Sequence, residues 1–349
     1  MWSDTPVFLT GHTGFKGGWL ALWLHALGAK VHGYALDPNT TPNLFGAARV
    51  AEVLASDARA DLADRTALQA ALTAAQPRVV FHLAAQPLVR ASYADPLGTL
   101  ATNVMGTAHL LEAVRQVPSV RAVVVVTTDK VYDNREWVYP YRESDALGGH
   151  DPYSASKGAA EIVAASYRAS FFHTPGAAQI ATARAGNVIG GGDWAADRLV
   201  PDCLKAFAHG QPVQLRFPGA VRPWQHVLEP LSGYLRLAQA LQDGPAAASA
   251  WNFGPDARGE ATVGQVAQRL AVLWGQGARV EFPEGGSHPH EAGQLRLDIT
   301  RARAALGWQP RWSLEEALAH TVAWQRAWRA GDDMAVACRD QIAAFGGVE

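Results

Sequence analysis

The chain has 349 residues, of which 48% are hydrophobic, and its formal net charge is −2. This length and apolar content are sufficient for one large α/β domain, or two modest ones, with a sizeable core. The near-neutral charge argues against a constitutive nucleic-acid or acidic-membrane partner, because such partners leave a strong basic excess.

The cysteines and the beginning of the chain favour a cytoplasmic enzyme. Cys203 and Cys338 lie far apart without metal-ligand spacing, so we expect neither a disulfide framework nor a metal site, and we interpret both as buried fillers. Strand-like sequence begins within a few residues of Met1, which leaves no room for a signal peptide. No apolar run reaches the roughly 18 residues of a membrane-spanning helix.

Lysine is rare in this chain. It occurs only at positions 16, 30, 130, 157 and 205, so 25 of the 30 basic residues are arginine. A compact ammonium of tunable pKa can do chemistry that a guanidinium cannot. These lysines are retained either for that chemistry or by drift, and their positions in the fold distinguish the two explanations.

The first predicted unit is a strand at 7–10, a glycine-rich loop and an apolar helix that Gly28 ends. Glycines permit a tight turn, and a helix N-terminus attracts a pyrophosphate. The spacing G-x-x-G-x-x-G lacks the ending of a triphosphate-binding loop, so we expect a dinucleotide. The residues predicted to hold it are Gly11, Thr13, Gly14, Phe15, Lys16 and Gly17.

A second strand, at 31–36, ends at Asp37, about 20 residues after the last glycines of the loop. A carboxylate there can accept hydrogen bonds from both adenosine ribose hydroxyls and would repel a 2′-phosphate, which favours NAD over NADP. The alternative is that Asp-Pro-Asn is only a turn.

The next two strands supply further cofactor contacts. Asp61 and Leu62 follow the third strand, and a fourth, at 79–83, ends in Ala84 and Ala85, whose small size lets a cofactor lie against the backbone. We interpret His82 as a packed strand residue.

A long helix at 96–117, with Asn103 inside it, precedes an apolar run that ends at Thr127, Thr128, Asp129 and Lys130. Such a run is typical of a strand buried on both faces of a parallel sheet, and ligands lie beyond the carboxyl ends of these strands. The alternative is that the charges only begin a solvated loop.

Tyr153 and Lys157 are four residues apart at the start of a predicted helix that runs to about residue 172, so they share one face. A pair of this kind is expected by chance in about one chain in nine of this composition. Its chemistry is coherent, because a nearby ammonium lowers the pKa of a phenol from about 10 and makes it a base for an alcohol.

A strand at 180–185 leads to GNVIGGGDW, where the composition shifts and a second lobe begins. The chain returns through RPWQHV, at 222–227, to an apolar helix near 228–242, and an Ala/Gly-rich connector follows at 244–250.

The glycine loop, Asp37, HLAAQ, TTDKVY, the Tyr153/Lys157 pair and RAGNVIGGGDW together resemble the extended short-chain dehydrogenase/reductase family, in its branch of nucleotide-sugar 4,6-dehydratases. The match spans nearly the whole chain. Within the branch, TTDKVYDN, GNVIGGGDWA and RPWQHVLEPLSGYL are most similar to the CDP-glucose type.

The resemblance implies an α/β fold with a Rossmann-type doubly wound parallel sheet and a smaller C-terminal substrate-binding lobe. Residues 1–186, with about 222–250, would bind NAD. Residues 187–221 and 251–349 would bind the nucleotide sugar. Relatives pair through helices corresponding to 96–117 and 153–172, so a homodimer or higher homo-oligomer is expected.

The resemblance also implies a role for each reacting group. Tyr153 is the base at the sugar 4-hydroxyl, Lys157 contacts the nicotinamide ribose and tunes the tyrosine, and Thr128 hydrogen-bonds O4. Asp129 protonates the departing C6 hydroxyl. Many relatives carry glutamate as the C5 base at the next position, where this chain has Lys130; a lysine is a base only when neutral, so its role stays open.

Three residues are expected to contact the substrate. They are Asn187, Arg222, whose guanidinium fork suits a diphosphate, and His226. The alternatives are that Asn187 occupies a turn with positive φ and that Trp224 and His226 only pack.

Two rival functions remain. A 4-epimerase or simple dehydrogenase on this fold would not need an acid/base pair after Thr128. A dinucleotide-sensing binding protein would be expected to lose Tyr153 or Lys157, and both are present.

Overall fold

The computed structural model describes residues 1–215, 217–256, 259–282 and 294–346. Within these residues, seven parallel strands form the central sheet. Six of them are β1 Pro6–Thr10, β2 Lys30–Ala35, β3 Leu54–Arg59, β4 Val79–His82, β5 Ala122–Val126 and β6 Gln179–Arg184, and the seventh is Ala250–Asn252. From one edge, the seventh strand is followed by β6, β5, β4, β1, β2 and β3. The strand order reverses between β1 and β4, which is where ligands bind in open α/β sheets.

The α-helices of the described residues connect these strands and build the second lobe. In chain order they are α1 Phe15–Ala26, α2 Leu44–Ala47, α3 Arg65–Ala75, α4 Val89–Ala94, α5 Pro96–Leu100, α6 Gly106–Arg115, α7 Pro152–Phe171, α8 Leu199–Ala208, α9 Leu228–Asp243, α10 Val263–Trp274, α11 Thr300–Leu306, α12 Leu314–Ala330 and α13 Met334–Phe345. Across the described ranges, no helix is long and apolar enough to cross a membrane.

Strand β5 shows why the sheet is buried on both faces. Successive side chains of a strand point to opposite faces. Val123 and Val125 accordingly join a core with residues of α3, α6 and α7, whereas Val124 and Val126 join a second core with α1, α9 and α13. The α/β fold and the doubly buried strand are therefore confirmed. His82 is also packed as predicted, since it is 3% exposed and both ring nitrogens hydrogen-bond threonine hydroxyls.

The predicted helix at 96–117 is interrupted. A π-helical turn, Ala101–Met105, separates α5 from α6, which ends at Arg115. The turn contains Asn103, whose amide donates to the Gln86 carbonyl at 3.0 Å and accepts from the Gln86 N–H at 2.9 Å. An inserted residue of this kind redirects a side chain out of the helical pattern and is frequent at functional sites.

The second lobe has its own core and only short strands. Val188–Ile189 pairs with Gln225–His226, Val221–Pro223 with Glu260–Thr262, and Val213–Gln214 with Val280–Glu281. Side chains of α8, α10 and α12 fill the core of this lobe. Cys203 is buried there, Cys338 is buried in the main core, and both are free thiols.

The sheet extends past the boundary that the sequence indicated. Residues 251–349 were expected in the second lobe and 244–250 as a connector, but Ala250–Asn252 pairs with β6 in the central sheet. Helix α13 also contributes Cys338, Ile342 and Phe345 to the main core. Three residues of extended chain carry too little periodicity to be recognised as a strand. Parts of the expected range, 257–258, 283–293 and 347–349, lie outside the described residues.

Candidate active site

The glycine loop between β1 and α1 packs directly against the end of β4. Gly11 has a φ of +79°, and a Cβ on it would lie 2.6 Å from the Ala84 nitrogen. A Cβ on Gly17 would lie 2.1 Å from the Gly11 oxygen. Both positions therefore require glycine. The contact brings the loop together with Ala84 and Ala85, which are half-buried at the point where the strand order reverses.

Helix α1 begins without a capping side chain. Its N-cap is Gly14, no side chain hydrogen-bonds the cap, and the first turn contains no acidic residue. The first N–H groups and the positive end of the helix dipole therefore face whatever lies in the loop. Phe15 points toward the turn that opens the second lobe, because a Cβ on Gly190 would lie 3.2 Å from its ring. This cradle fits the diphosphate of a dinucleotide.

The end of β2 forms the rim of this cradle. Thr13 Oγ1 donates to the Leu36 carbonyl at 2.9 Å, and the next side chain, Asp37, is 87% exposed. Arg59 Nη1 lies 3.2 Å from Asp37 Oδ1, and its guanidinium also lies 4.4 Å from the ring centroid of Phe45. Sequence analysis missed Arg59, since no motif marks an arginine at the end of β3.

Asp61 and Leu62 lie in the turn after β3, next to the end of β2. Asp61 Oδ1 accepts from the Ala63 N–H at 2.8 Å, and its carbonyl accepts from the Tyr34 hydroxyl at 2.8 Å. Leu62 is 5% exposed and contacts α6, because a Cβ on Gly106 would lie 2.8 Å from it. The Ala63 hydrogen bond closes the turn after β3, and the Tyr34 hydrogen bond fixes this turn to the end of β2.

The turn after β5 buries its carboxylate. Thr128 Oγ1 donates to Asp129 Oδ1 at 2.9 Å, and Asp129 is 1% exposed. Among the residues that the structure describes, Asp129 Oδ2 is buried without a hydrogen-bond partner. The solvated-loop alternative is therefore wrong for Asp129. Lys130 is half-buried, and its N–H lies 3.4 Å from Thr128 Oγ1.

Gly186 closes this pocket from the neighbouring strand. A Cβ at this position would lie 1.8 Å from Asp129 Oδ2, so no side chain fits there. Sequence analysis quoted this glycine only as part of a motif. Its requirement comes from a carboxylate 57 positions earlier in the chain, as the two residue numbers show.

Tyr153 and Lys157 lie on the buried face of α7, with 8% and 7% exposure. Burial raises the pKa of Tyr153 to about 12, opposed by its hydrogen bond with Thr128. Lys157 Nζ donates to the Val126 carbonyl at 3.1 Å, and burial lowers its pKa to about 8, opposed by Glu161. The expectation of a lowered tyrosine pKa is therefore wrong for this arrangement, because desolvation of the phenol exceeds the effect of nearby cations.

A second ammonium reaches the same region from the glycine loop. Lys16 Nζ donates to the Tyr234 hydroxyl at 3.0 Å. Burial lowers its pKa to about 7, the charges of Lys157 and Arg198 lower it further, and Asp129 opposes them. Positions 16, 130 and 157 thus carry three of the five lysines to this site, which favours the functional interpretation of lysine usage.

Further polar residues anchor the start of α7. Asn103 Nδ2 donates to Ser156 Oγ at 2.8 Å, and the Tyr153 N–H donates to Ser92 Oγ at 3.1 Å. Sequence analysis noted Asn103 without a role and missed Ser92. The available signal was that Asn103 is a polar residue inside the predicted helix at 96–117, where a buried polar side chain needs hydrogen-bond partners.

The three expected substrate contacts differ in placement. Asn187 is half-buried with a φ of +43°, which confirms that it occupies a turn of positive φ. Arg222 is 7% exposed, and its Nη1 donates to the Val221 carbonyl at 2.9 Å. His226 is 1% exposed and lies against the rings of Trp19 and Trp312. That position fits the packing alternative and not a substrate contact.

Comparisons with known proteins agree with this architecture. Residues 8–321 match the family described as GDP-mannose 4,6 dehydratase. A CDP-glucose 4,6-dehydratase of Salmonella typhimurium strain LT2 is 50% identical over 349 residues, covering 99% of this chain and 97% of that protein. A UDP-glucose 4-epimerase of Mycolicibacterium smegmatis is 31% identical over 325 residues, covering 90% of this chain and 96% of that protein.

A solved structure extends the agreement to three dimensions. MoeE5 in complex with UDP-glucose and NAD is 27% identical, with a TM-score of 0.76 over 94% of this chain and 100% of that one. The cradle, the buried turn after β5 and the face of α7 therefore occur in a chain that matches these enzymes from end to end. This chain belongs to the GDP-mannose 4,6-dehydratase family, among the nucleotide-sugar dehydratases of the extended short-chain dehydrogenase/reductases.

Proposed function

We propose that this protein is an NAD-dependent 4,6-dehydratase that converts CDP-glucose to CDP-4-keto-6-deoxyglucose and water. One observation carries the proposal: a buried carboxylate, Asp129, lies beside Thr128 and Tyr153, so an acid for elimination adjoins a base for oxidation. The relative that is 50% identical over 99% of the chain supports CDP-glucose as the substrate.

The residues of the cradle fit NAD. The glycine loop and the uncapped start of α1 would hold the diphosphate, and Asp37 would accept hydrogen bonds from the adenosine ribose. When bound, NAD accepts a hydride from C4 of the sugar and returns it at C6, so the reaction is redox-neutral overall. Ala84 and Ala85 leave room beside the backbone, and Asp61 with Leu62 forms the floor.

Tyr153 removes the proton of the 4-hydroxyl in this proposal. Because the pKa of Tyr153 is raised, its phenolate form needs nearby cations to stabilise it. The charge of Arg198 lowers the pKa of Tyr153, and Lys157 lies on the same buried face of α7. Lys157 would also contact the nicotinamide ribose when NAD is bound. Thr128 donates to O4 and holds the sugar oxygen against the base.

Asp129 donates a proton to the C6 oxygen as it departs. Its Oδ2 lies buried against Gly186 without a donor among the described residues, and the Thr128 hydroxyl orients the other oxygen. A ketone at C4 makes the C5 proton acidic, which permits elimination of a poor leaving group. Lys130, next in the same turn, is our candidate for the C5 base, and it can act only as the neutral amine. It takes the C5 proton during elimination and returns a proton to C5 when the hydride is delivered to C6.

The second lobe binds the nucleotide in this proposal. Arg222 supplies a guanidinium for the diphosphate, and Asn187 contacts the sugar or its phosphate from its positive-φ turn. His226 is left out of this set because it is enclosed by aromatic rings. Residues 1–186 with about 222–250 remain our proposed NAD-binding domain, to which we add the strand Ala250–Asn252.

One experiment tests the activity. Purified protein with substoichiometric NAD is incubated with CDP-glucose, dTDP-glucose, UDP-glucose and GDP-mannose in turn, and products are measured by mass. We expect CDP-glucose to lose one water in many turnovers for each NAD present. No loss of water from any of the four sugars would rule out a dehydratase.

A 4-epimerase is the second candidate, because a UDP-glucose 4-epimerase is 31% identical over 90% of the chain. An epimerase leaves the mass of its substrate unchanged, so the same measurement separates the two. A binding protein would neither dehydrate nor epimerise the sugars. The burial of both Tyr153 and Lys157 at one site argues against that third function.

We also propose a homodimer formed through the helices predicted at 96–117, which are α5 and α6 in the structure, and through α7, predicted at 153–172. Large apolar side chains are exposed on these elements: Leu97 is 77% and Ile162 61% exposed, and Met105, in the π-helical turn between α5 and α6, is 51% exposed. We expect Leu97→Glu with Ile162→Glu to yield monomers in analytical ultracentrifugation. The control is Val272→Glu on α10, an apolar residue that is 82% exposed and outside these elements.

A cytoplasmic location is the remaining proposal. Two buried thiols without a disulfide, Cys203 and Cys338, are compatible with a reducing compartment. Cell fractionation tests it: the dehydratase activity should be recovered with cytoplasmic marker enzymes, and recovery with the membrane pellet or the culture medium would contradict it.

A further inference from the structure

A buried acid–base pair lies directly beneath the reacting groups. Glu161 is one helical turn after Lys157 on α7, so the two share a face. It pairs with Arg184 at the end of β6, with Nε to Oε1 at 2.9 Å, and each side chain is only 4% exposed. None of the roles assigned above involves this pair.

Four hydrogen bonds fix the Glu161 carboxylate. Thr127 Oγ1 donates to Oε1 and Thr182 Oγ1 to Oε2, each at 2.6 Å. Arg184 donates through Nε at 2.9 Å and Nη2 at 3.0 Å. Because Thr127 immediately precedes Thr128 and Asp129, one end of the turn after β5 is tied to α7.

Arg184 holds the other end of that turn. Its Nη1 donates to the Tyr132 hydroxyl at 2.8 Å, and this hydroxyl donates to Asn252 Oδ1 at 2.7 Å. Residues 127–132 are therefore attached at both ends to a single ion pair. Asp129 and Lys130 lie between these attachments.

Stability alone does not account for the pair. Burying two charges costs about as much free energy as their mutual attraction contributes. Well-packed apolar residues stabilise a fold about equally at such positions. A fixed negative charge beside a catalytic ammonium, in contrast, favours its protonated form.

The other titratable groups near Lys157 do not supply that charge. His82 on β4 is neutral at ordinary pH, because burial lowers its pKa to about 3. Lys16, from α1, carries no negative charge in either form, and burial lowers its pKa to about 7. The charge of Asp129 acts on Lys16, and Arg184 is the cation that pairs with Glu161. Glu161 is the group whose charge raises the pKa of Lys157.

We propose that Glu161, held by Arg184, is a positioning residue that keeps Lys157 in its ammonium form and holds the Asp129 turn in register with Tyr153. This inference rests on the proposed function only where it gives Lys157 and Asp129 their roles. The charge relation between Glu161 and Lys157 can be measured without substrate.

The test is the titration of Lys157 in the full-length protein. Trace acylation with acetic anhydride between pH 6 and 10, followed by peptide mass spectrometry, resolves each of the five lysines separately. In Glu161→Gln we expect the Lys157 titration to move about one pH unit lower, which reduces the ammonium-to-amine ratio about tenfold at a given pH. Glu161→Asp, which retains the charge, should titrate close to the wild type.

Glu229→Gln is the matched control. Glu229 is also a buried carboxylate, 1% exposed, and it accepts from the backbone N–H groups of Arg311 and Trp312. Its loss should leave the Lys157 titration unchanged. An unshifted Lys157 in Glu161→Gln, or an equal shift in Glu229→Gln, would overturn the proposal.

Folding is checked by thermal unfolding of each variant. If Glu161→Gln does not fold, Glu161→Gln with Arg184→Gln removes both charges together. A downward shift is still expected, but a smaller one, because the loss of the Arg184 cation partly compensates for the loss of the Glu161 charge. Failure of both to fold would assign the pair a purely structural role and overturn the inference. A shift in a protein that dehydrates none of the four sugars would support the charge relation while rejecting the proposed function.

Kinetics supply a second readout. In Glu161→Gln we expect the alkaline limb of NADH formation to move to lower pH, so the rate at pH 8.5 falls about tenfold more than the rate at pH 6.5. A merely structural defect would lower the rate by the same factor at both pH values, and that result would count against the proposal.

Discussion

The cofactor cradle and the pocket after β5 lie at the same edge of the sheet but handle charge in opposite ways. In the cradle, Asp37 is 87% exposed, and the start of α1 presents backbone N–H groups without a capping side chain. In the pocket, Asp129, Tyr153 and Lys157 are all less than a tenth exposed. Water screens the first charge and barely reaches the others. Changes in the cradle should therefore alter cofactor affinity modestly, whereas changes in the pocket should alter rate constants strongly.

The largest effect is expected at Tyr153. Tyr153→Phe removes the base and should slow NADH formation from CDP-glucose by about 10³- to 10⁴-fold, the upper part of the usual range for a positioned base. Stopped-flow absorbance of NADH in a single turnover measures this step. Tyr139→Phe, at a tyrosine that is 70% exposed, is the control and should match the wild type. Near-normal turnover in Tyr153→Phe would remove this residue from the mechanism.

Asp129→Asn separates the two halves of the reaction. We expect NADH to form at nearly the wild-type rate while loss of water slows by about 10³-fold, because the amide cannot protonate the departing oxygen. Rapid quench with mass detection follows the dehydration. The matched control is Asp133→Asn in the same loop, whose side chain is 38% exposed. Equal loss of both steps would show that the aspartate is misassigned.

Gly186→Ala tests whether the position of the Asp129 carboxylate controls dehydration. The added methyl would overlap Asp129 Oδ2 at 1.8 Å, so the carboxylate must move. Displacement by about 1 Å should slow dehydration about 100-fold, with less effect on NADH formation. Gly219→Ala, where nothing lies within 4 Å of the added atom, is the control. Unchanged dehydration would mean that the position of Asp129 is not critical.

The smallest effect is expected in the cradle. Asp37→Ala should weaken NAD binding about tenfold, since the hydrogen bonds from the ribose hydroxyls to this exposed carboxylate together contribute about 1.4 kcal/mol. Isothermal titration calorimetry measures the Kd, and kcat at saturating NAD should be retained. Asp4→Ala, at a carboxylate that is 81% exposed, is the control. A 100-fold loss of kcat at saturating NAD would contradict the distinction between cradle and pocket.

Much of the fold follows from short-range patterns. The apolar runs at β1, β2, β4, β5 and β6, the glycine loop and the start of α7 were each predicted within a few residues of their observed bounds. The Tyr153/Lys157 pair and the Thr128–Asp129 sequence were recognised for the same reason. Residues within one turn or one strand report directly on the face that they share.

The features that were not predicted depend instead on contacts between segments that are far apart in the chain. The strand Ala250–Asn252, the contact of Gly186 with Asp129 and the salt bridge of Arg59 with Asp37 all join residues that are distant in sequence. His226 was a candidate for substrate contact with packing as the alternative, and in the structure its ring packs against Trp19 and Trp312.

The sequence by itself determined the α/β class and the dinucleotide loop and nominated the candidate catalytic residues, because these depend on local spacing and residue type. Only the tertiary structure decided how far each of these groups is removed from water. Desolvation depends on every segment packed around a side chain, and it raises the pKa of Tyr153 and lowers that of Lys157. The same packing buries Glu161 and its partner Arg184 beneath them.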